Sequence, residues 1–423
     1  MILLSHPTGN AYIRNAALAM LEAGVLGEFW TSVHWRPGTV LDRLLPPALR
    51  AQMARRTFSG IPVERIHTAP FREFGRFAAP RLGLGRFTRR EADLFSVDAV
   101  YASFDRRVAR RVQRAKGLRA IYTGEDCALE SFRAAGEKGW ERLYDLPIGY
   151  WRAANAIYRD EAAREPEWAC TLDGIQDSDA KLARKDAELE LSDTVIVASD
   201  FTRRTLQLAP TRELNVHVIP YGAPPVAPPL APPPSGGKLR VLFVGALGQR
   251  KGLSYLLSAM RQVAGVAELT LLGRKTSEAC EPLNAATRAH RWIPSLPHHE
   301  VLAEMARHDV LVFPSLFEGF GLVLLEAMSR GLPVITTAHT AGPDFIREGV
   351  DGFIVPIRSA AAISEKLEVL AKDRELLAEM KRAARATADR CSWDGYRRRL
   401  ADLAIRGMSM KTNRAAFAAD LSA

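Results

Sequence analysis

The sequence predicts an α/β protein of two doubly wound, Rossmann-like domains facing each other across a cleft. Three observations carry this expectation. Short apolar runs alternate with helical patterns along nearly the whole chain. A proline-rich segment, "GAPPVAPPLAPPPSGGK" at 222–238, interrupts that alternation near the middle. Glycine turns follow directly on several of the apolar runs.

The runs in the first half are "MILLSH", "AVYASF", "RAIYTG", "RLYDLP", "TVIVAS" and "VHVIPY", all read as strands. In the second half, "RVLFVG", "ELTLLG", "VLVFPS", "PVITT" and "GFIVP" are almost wholly apolar. Strands of that kind are buried on both faces, as in a parallel sheet covered by helices. Proline fixes φ and removes a donor, so 222–238 is neither strand nor helix interior but a semi-extended connector. The predicted organisation is therefore an N-terminal Rossmann-like domain at 1–222, a linker at 223–237 and a C-terminal Rossmann-like domain at 238–390. A helical segment, 391–423, follows, with Ser392 as its cap, and packs back toward the N-terminal domain. In such sheets ligands sit at the carboxyl ends of the strands.

Bulk properties narrow the function classes. The 423 residues are 47% hydrophobic and 25% charged, which fits two packed cores and not a disordered chain. Apolar runs stop short of the roughly 18 residues a membrane helix needs, and "MILLSHPTGN" reads as a strand, not a leader. The four cysteines, Cys127, Cys170, Cys280 and Cys391, form no CxxC pair and suggest buried thiols in a reducing cytoplasm. Charge is uneven: residues 1–120 hold 20 Lys+Arg against 9 Asp+Glu, although the whole chain carries a formal +10. That basic excess suits peripheral contact with anionic lipid on the inner face of the membrane, or is simply a solvated arginine-rich surface. Nucleic acid is not an expected partner, since aromatic RNA-binding and zinc-finger spacings are missing from the sequence.

The stretch that carries chemistry is "VFPSLFEGFGLVLLEAMSRGLPVITT", 312–337. A strand ends, Glu318, Gly319, Phe320 and Gly321 turn, and a helix from Leu322 closes at Gly331. The glycines let backbone N–H groups approach a ligand. Those amides lie at a helix N-terminus, which favours an anion or a sugar oxygen. Glu326, about one turn inside the helix, can accept two hydroxyls, as a ribose diol requires. Glu318 sits nearer the reacting sugar. A second stretch, "VLFVGALGQRKGLSYLL" at 241–257, sets Arg250 and Lys251 at a helix start, where a diphosphate finds countercharge. It lacks the GxxxxGK[ST] spacing of a P-loop. In "SHPTGN", Gly9 can bring amides to the cleft from the opposite side.

These residues resemble a known family. "FEGFGLVLLEAMSRGLPVITT" is similar to the E-x7-E signature of the retaining family 4 glycosyltransferases, which adopt the GT-B fold. "FVGALGQRKG", containing Gly245, resembles their diphosphate loop. "AELELSDTVIVASDFTRRTL", "VIPYGA" and "GVDGFIVP" resemble other family segments. The resemblance spans most of 180–400 and is thin over 1–150. It implies a nucleotide-diphosphate sugar as donor and a glycan or lipid-linked glycan as acceptor. It also implies retention of anomeric configuration, no metal in the site and no cofactor beyond the donor. Glu326 would hold the ribose, and Glu318 with the amides of Gly319 to Leu322 the donor sugar and phosphates. Arg250 and Lys251 would hold the diphosphate, and the segment 291–294, with Trp292 and Ile293, would lie beside the base.

The sequence departs from the family at three places. Ala246 stands where many members have Arg, "IPYG" with Tyr221 replaces "IPNG", and the strand-end His of many members has no match in "RLYDLPIGYWR". Asp145 in that stretch and Glu125 and Asp126 in "YTGEDC" are the acceptor-side candidates, each equally readable as a strand-end carboxylate capping the next helix. A literal DxD, Asp177 and Asp179, reads as a solvated helical stretch and not a metal clamp. His298 and His299 read as a loop or helix start. Trp292, Trp393 and the segment 149–151 read as core. The rival readings are a nucleotide-sugar epimerase and a non-catalytic nucleotide-sugar-binding protein.

Overall fold

The computed structural model of the protein describes residues 1–54, 56–89, 91–172, 177–210, 213–228 and 237–420, with the side chains of 41, 47–48, 51–52 and 410–420 left aside. Two parallel sheets form the frame. The first holds β1 (Ile2–Ser5), β2 (Leu26–Thr31), β3 (Ile66–Thr68), β4 (Ala120–Gly124), β5 (Glu141–Leu146), β6 (Thr194–Val197) and β7 (Val216–Val218), in the order β3-β2-β1-β4-β5-β6-β7. The second holds β8 (Leu239–Val244), β9 (Ala267–Leu272), β10 (Arg291–Ile293), β11 (Val310–Phe313), β12 (Val334–Thr337) and β13 (Gly352–Val355), in the order β10-β9-β8-β11-β12-β13. Every residue of β1, β4, β6, β11 and β12 is buried, the pattern of strands covered on both faces. The strand order reverses between β1 and β4 in one sheet and between β8 and β11 in the other. Crevices open at such reversals, and the three glycine-containing turns of interest leave β1, β8 and β11.

One predicted strand is a helix. "AVYASF" lies within helix Val97–Arg114, which starts where the Ser96 side chain accepts from the Ala99 N–H at 2.9 Å. Its buried face is Val100, Phe104, Val108 and Val112, a helical period that a six-residue window cannot reveal. Three strands escape the apolar pattern. β2 carries Glu28, whose carboxylate is taken up by Arg111 Nε at 3.0 Å and Trp30 Nε1 at 2.8 Å. β3 and β10 are three-residue edges, too short to show a period. The thiols also differ from expectation: Cys127 and Cys280 are buried, Cys391 is half-buried and Cys170 is exposed.

The proline-rich connector lies partly outside the described residues, at 229–236. Its start runs beside the other chain crossing. The Ala223 N–H donates to Cys391 O at 2.6 Å, and a Cβ on Gly222 would sit 2.2 Å from the Trp393 nitrogen. Helix Trp393–Asp420 begins there, with Ser392 Oγ accepting from the Gly395 N–H at 3.2 Å. It returns to the N-terminal sheet and packs on helix Ala11–Glu22, where Arg397 donates to Glu22 and Asn15, both at 3.0 Å.

A third contact joins the two domains through helix Trp151–Arg164. Glu161, fully buried, accepts from Gln249 Nε2 at 2.7 Å, Tyr255 OH at 2.8 Å and Arg358 Nε at 2.6 Å. A buried carboxylate is tolerable only when bonded this completely, so Glu161 fixes how helix Trp151–Arg164 meets the C-terminal sheet. Among the described residues no helix is long and apolar enough to cross a membrane.

Candidate functional site

The turns after β8 and β11 meet at the switch point of the second sheet. Gly252 has φ +68°, and a Cβ there would lie 2.1 Å from Pro314 O. Only glycine lets these backbones touch, and the contact brings Arg250 and Lys251 onto Glu318. Arg250 Nη1 lies 3.3 Å from Glu318 Oε1 and donates to Phe317 O at 3.1 Å, while Lys251 Nζ pairs with Glu318 Oε2. Lys251 also stands 4.7 Å from the centroid of the Phe313 ring. Burial, then the neighbouring Arg250, pushes the Lys251 ammonium well below the ordinary lysine value. The sequence pattern thus places two cations and a carboxylate together although 67 positions separate Lys251 from Glu318.

Helix Leu322–Ser329 starts directly after Gly321. Its first amides point back at the 318–321 turn, as expected for an N-terminus. Glu326 lies on the same helix, and its carboxylate accepts from His298 Nε2 at 2.9 Å. That bond raises the His298 pKa above its ordinary 6.5. His298 begins helix His298–Met305, as the helix-start reading of "LPHHE" anticipates, but its contact with Glu326 was not foreseeable from spacing. Trp292, half-buried on the edge strand β10, donates from Nε1 to Gly273 O at 2.9 Å and carries Lys275 Nζ 4.8 Å from its ring.

The N-terminal domain closes over this turn. A Cβ on Gly319 would lie 1.8 Å from Pro147 O and 2.6 Å from Ile148 Cα. Thr202 Oγ1 donates to Gly319 O at 3.0 Å, and Ser199 Oγ donates to the same carbonyl. Two residues at the strand ends of the N-terminal sheet were not picked out by sequence. His6, at the end of β1, is buried, with Nδ1 3.0 Å from Thr8 O, and burial drives its pKa to about 4. Its signal was present as the His of "SHPTGN", a stretch noted only for Gly9. The other is Tyr122 on β4, whose hydroxyl donates to Asp145.

Asp145 ends β5 with 1% of its surface exposed, and burial lifts its carboxyl to about 7. Glu125 and Asp126 are drawn away to helix Asp179–Leu191: Lys185 Nζ lies 3.1 Å from Glu125 and Arg184 Nη2 2.9 Å from Asp126. Asp177 joins the same ionic network through Lys181 at 2.8 Å, and Asp179 is the first residue of the helix. Among the described residues no group of three or more His, Cys, Asp or Glu side chains gathers as a metal-ligand set. The core reading holds for Tyr150, 2% exposed, whereas Trp292 and Trp393 are half-buried.

Residues 231–387 match the family described as Glycosyl transferases group 1. This group 1 segment contains Arg250, Lys251, Glu318, Glu326 and His298. The curated relatives resemble the chain over the same region. The "Amylovoran biosynthesis glycosyltransferase AmsK" of Erwinia amylovora is 29% identical over 167 residues, covering 36% of this chain and 40% of that protein. The matched region spans between 16% and 40% of the length of such relatives. Solved structures match the whole fold. Sucrose-phosphate synthase from Thermosynechococcus elongatus has a TM-score of 0.66 at 18% identity, covering 99% of both chains. HepE of Anabaena, solved in complex with UDP, has a TM-score of 0.61 at 14% identity and covers 96% of this chain and 99% of its own.

Proposed function

We propose that the protein is a retaining, metal-independent glycosyltransferase that moves a sugar from a nucleotide-diphosphate donor to a hydroxyl acceptor, in the synthesis of a surface polysaccharide or glycolipid. The observation that carries the reading is the junction of Arg250, Lys251 and Glu318 beside the N-terminus of helix Leu322–Ser329. The group 1 match, the UDP complex of HepE and the amylovoran role of AmsK support the donor and acceptor classes.

Cleavage of a glycosyl–phosphate bond develops positive charge on the sugar and negative charge on the departing diphosphate. Two fixed cations and the amides of Gly319 to Leu322 meet that negative charge without reorganising, which lowers the barrier. In the free protein Glu318 holds both cations in place. With donor bound, it faces the sugar while the diphosphate becomes their second partner. Glu326 takes the ribose hydroxyls, and Trp292 and Ile293 flank the base. Gly245 and Gly9 allow the turns after β8 and β1 to approach the phosphates. Retention then proceeds by same-face attack, with the leaving phosphate oxygen taking the acceptor proton. We read Asp145 as a positioning residue that orients Tyr122 at the acceptor side, since its own carboxyl is almost wholly enclosed.

The deciding experiment is calorimetric titration with UDP, GDP, ADP, CDP and TDP. One of them is expected to bind at micromolar to low millimolar concentration, and failure of all five removes the reading. Product analysis with labelled donor then separates transfer from epimerisation.

Two further results are expected. Ribose must displace His298 from Glu326. The pair is complete below the ordinary His value of 6.5 and is lost as pH rises through the raised value of His298. Nucleotide affinity therefore increases with pH across that window, and His298→Ala flattens the dependence in the same titrations. Asp145 has the opposite consequence for stability. Its folded pKa of about 7 exceeds the ordinary 3.8, so stability falls as pH rises from about 4 to about 7. Asp145→Asn should remove that slope from melting curves taken at pH 5 and 8, where it amounts to a few kcal/mol.

The reading includes peripheral contact with anionic membrane. Phe71 and Leu82 are 77% and 71% exposed, and they stand among Arg72, Arg81, Arg86 and Arg89. An apolar edge set in cations suits an anionic lipid surface.

A further inference from the structure

Arg250 and Lys251 are carried by a single 3-10 turn of three residues, Gln249–Lys251, entered through Gly248. So short a turn has poor hydrogen-bond geometry of its own and takes its shape from its neighbours. On its C-terminal side those neighbours belong to the same domain: the Leu316 N–H and Ser315 Oγ donate to Arg250 O, at 2.9 and 3.2 Å. On its N-terminal side they belong to the other half of the chain. The Gln249 N–H donates to Thr171 Oγ1 at 2.9 Å, and Gln249 Nε2 donates to Glu161 Oε1 at 2.7 Å. Both acceptors lie in the stretch between β5 and β6 of the first sheet, which crosses over to the second.

The holding groups are themselves fixed. Glu161, Thr171 and Gln249 are all buried. The Gln249 amide is fully bonded, since Nε2 also donates to Ser254 Oγ at 2.7 Å and Oε1 accepts from the Ser254 N–H at 3.1 Å. Thr171 ends the 3-10 segment Pro166–Thr171, where its hydroxyl is aimed by donating to Trp168 O at 2.7 Å. That segment packs on helix Glu281–Ala289 of the C-terminal domain, and Cys280 Sγ donates to Glu167 O at 3.5 Å. Arg358 takes φ +64°, a left-handed backbone that a non-glycine residue rarely adopts, and from there reaches Asp160 at 2.7 Å as well as Glu161. Removing either acceptor strands a buried donor of Gln249, which costs more than the net worth of the bond.

We propose that Glu161 and Thr171 are positioning residues for the diphosphate, acting through Gln249 to set the Arg250–Lys251 turn, so that the grip on the donor depends on a segment from the N-terminal half of the chain. The proposal rests on the transferase reading for the diphosphate itself. Only a ligand that reaches the two cations feels where the turn is placed. A nucleoside diphosphate reaches them with its terminal phosphate, whereas a monophosphate keeps base and ribose and lacks that group.

The test is calorimetry on the full chain with UDP, GDP, ADP, CDP and TDP, each beside its monophosphate, and a melting curve for every variant. Thr171→Val keeps the shape of the side chain and removes the acceptor of the Gln249 N–H. It should weaken the diphosphate that binds by about tenfold, while the matching monophosphate changes by less than about twofold. Thr171→Ser, which keeps the hydroxyl, should bind as wild type does. Glu161→Ala should give the same selective loss, but it strands donors of Gln249, Tyr255 and Arg358 and can lose the fold, so Thr171→Val decides without it. In a chain already carrying Arg250→Ala and Lys251→Met, Thr171→Val should weaken the diphosphate no further. The proposal is overturned if Thr171→Val binds the diphosphate like wild type, if mono- and diphosphate weaken by the same factor, if Thr171→Ser loses as much as Thr171→Val, or if the loss persists in full without the two cations. If no diphosphate binds the wild type, the donor reading fails and the positioning role falls with it. If one binds and the selective loss is missing, the positioning role alone falls.

Discussion

Arg250→Ala combined with Lys251→Met abolishes sugar transfer, lowering turnover by about a thousandfold or more while the fold is retained. Loss of a single donor to a developing oxyanion costs about 10²–10³ in rate, and under the proposed reading two cations leave one diphosphate. Methionine keeps the length of Lys251 and its contact with the Phe313 ring, so the packing of the β8 turn survives. Glu318, 14% exposed, then loses both its partners. Turnover of the labelled donor and the melting temperature are measured together. Turnover near wild type, with an unchanged melt, removes these cations from the mechanism.

Gly319→Ala is expected to separate binding from chemistry. The added Cβ would be 1.8 Å from Pro147 O, and both atoms belong to backbone or its first carbon. Neither can rotate aside, so the domains must part by more than an ångström. Misplacement of that size costs roughly a hundredfold in a reaction between two bound partners. The proposed nucleotide contacts lie on the C-terminal side except for the Gly9 turn, so nucleotide affinity should fall far less than turnover. Calorimetry and donor turnover on one preparation give both quantities. If turnover is untouched, the closed arrangement of Gly319 against 147–149 is not the one in which transfer occurs.

Much of this geometry is legible in the sequence. Strand, glycine turn and helix at 310–329 agree at every level of reading, from apolar run to cap, and the element boundaries follow. The same consistency located Arg250 and Lys251. What escaped the sequence depends on contacts between distant segments. His298 meets Glu326 across 28 positions, and Thr202 meets Gly319 across 117, with no local signature for either. The N-terminal half was read less well for a different reason. β2 carries a half-buried, charged Glu28 that Arg111 neutralises from 83 positions away, so the apolar pattern is broken where the strand lies. Helix Val97–Arg114 has apolar residues clustered at its start, and a short window reads them as a strand.

The passage of helix Trp393–Asp420 back onto helix Ala11–Glu22 has a consequence for biogenesis. The N-terminal domain is discontinuous in the chain: one of its outer layers is synthesised only after the entire C-terminal domain has emerged. Until then the face of Ala11–Glu22 that the late helix covers is bare on the nascent polypeptide. A nascent chain whose residues up to 392 have emerged would therefore carry a completed C-terminal half and an unfinished partner, and that exposed flank is where a chaperone would find its handhold.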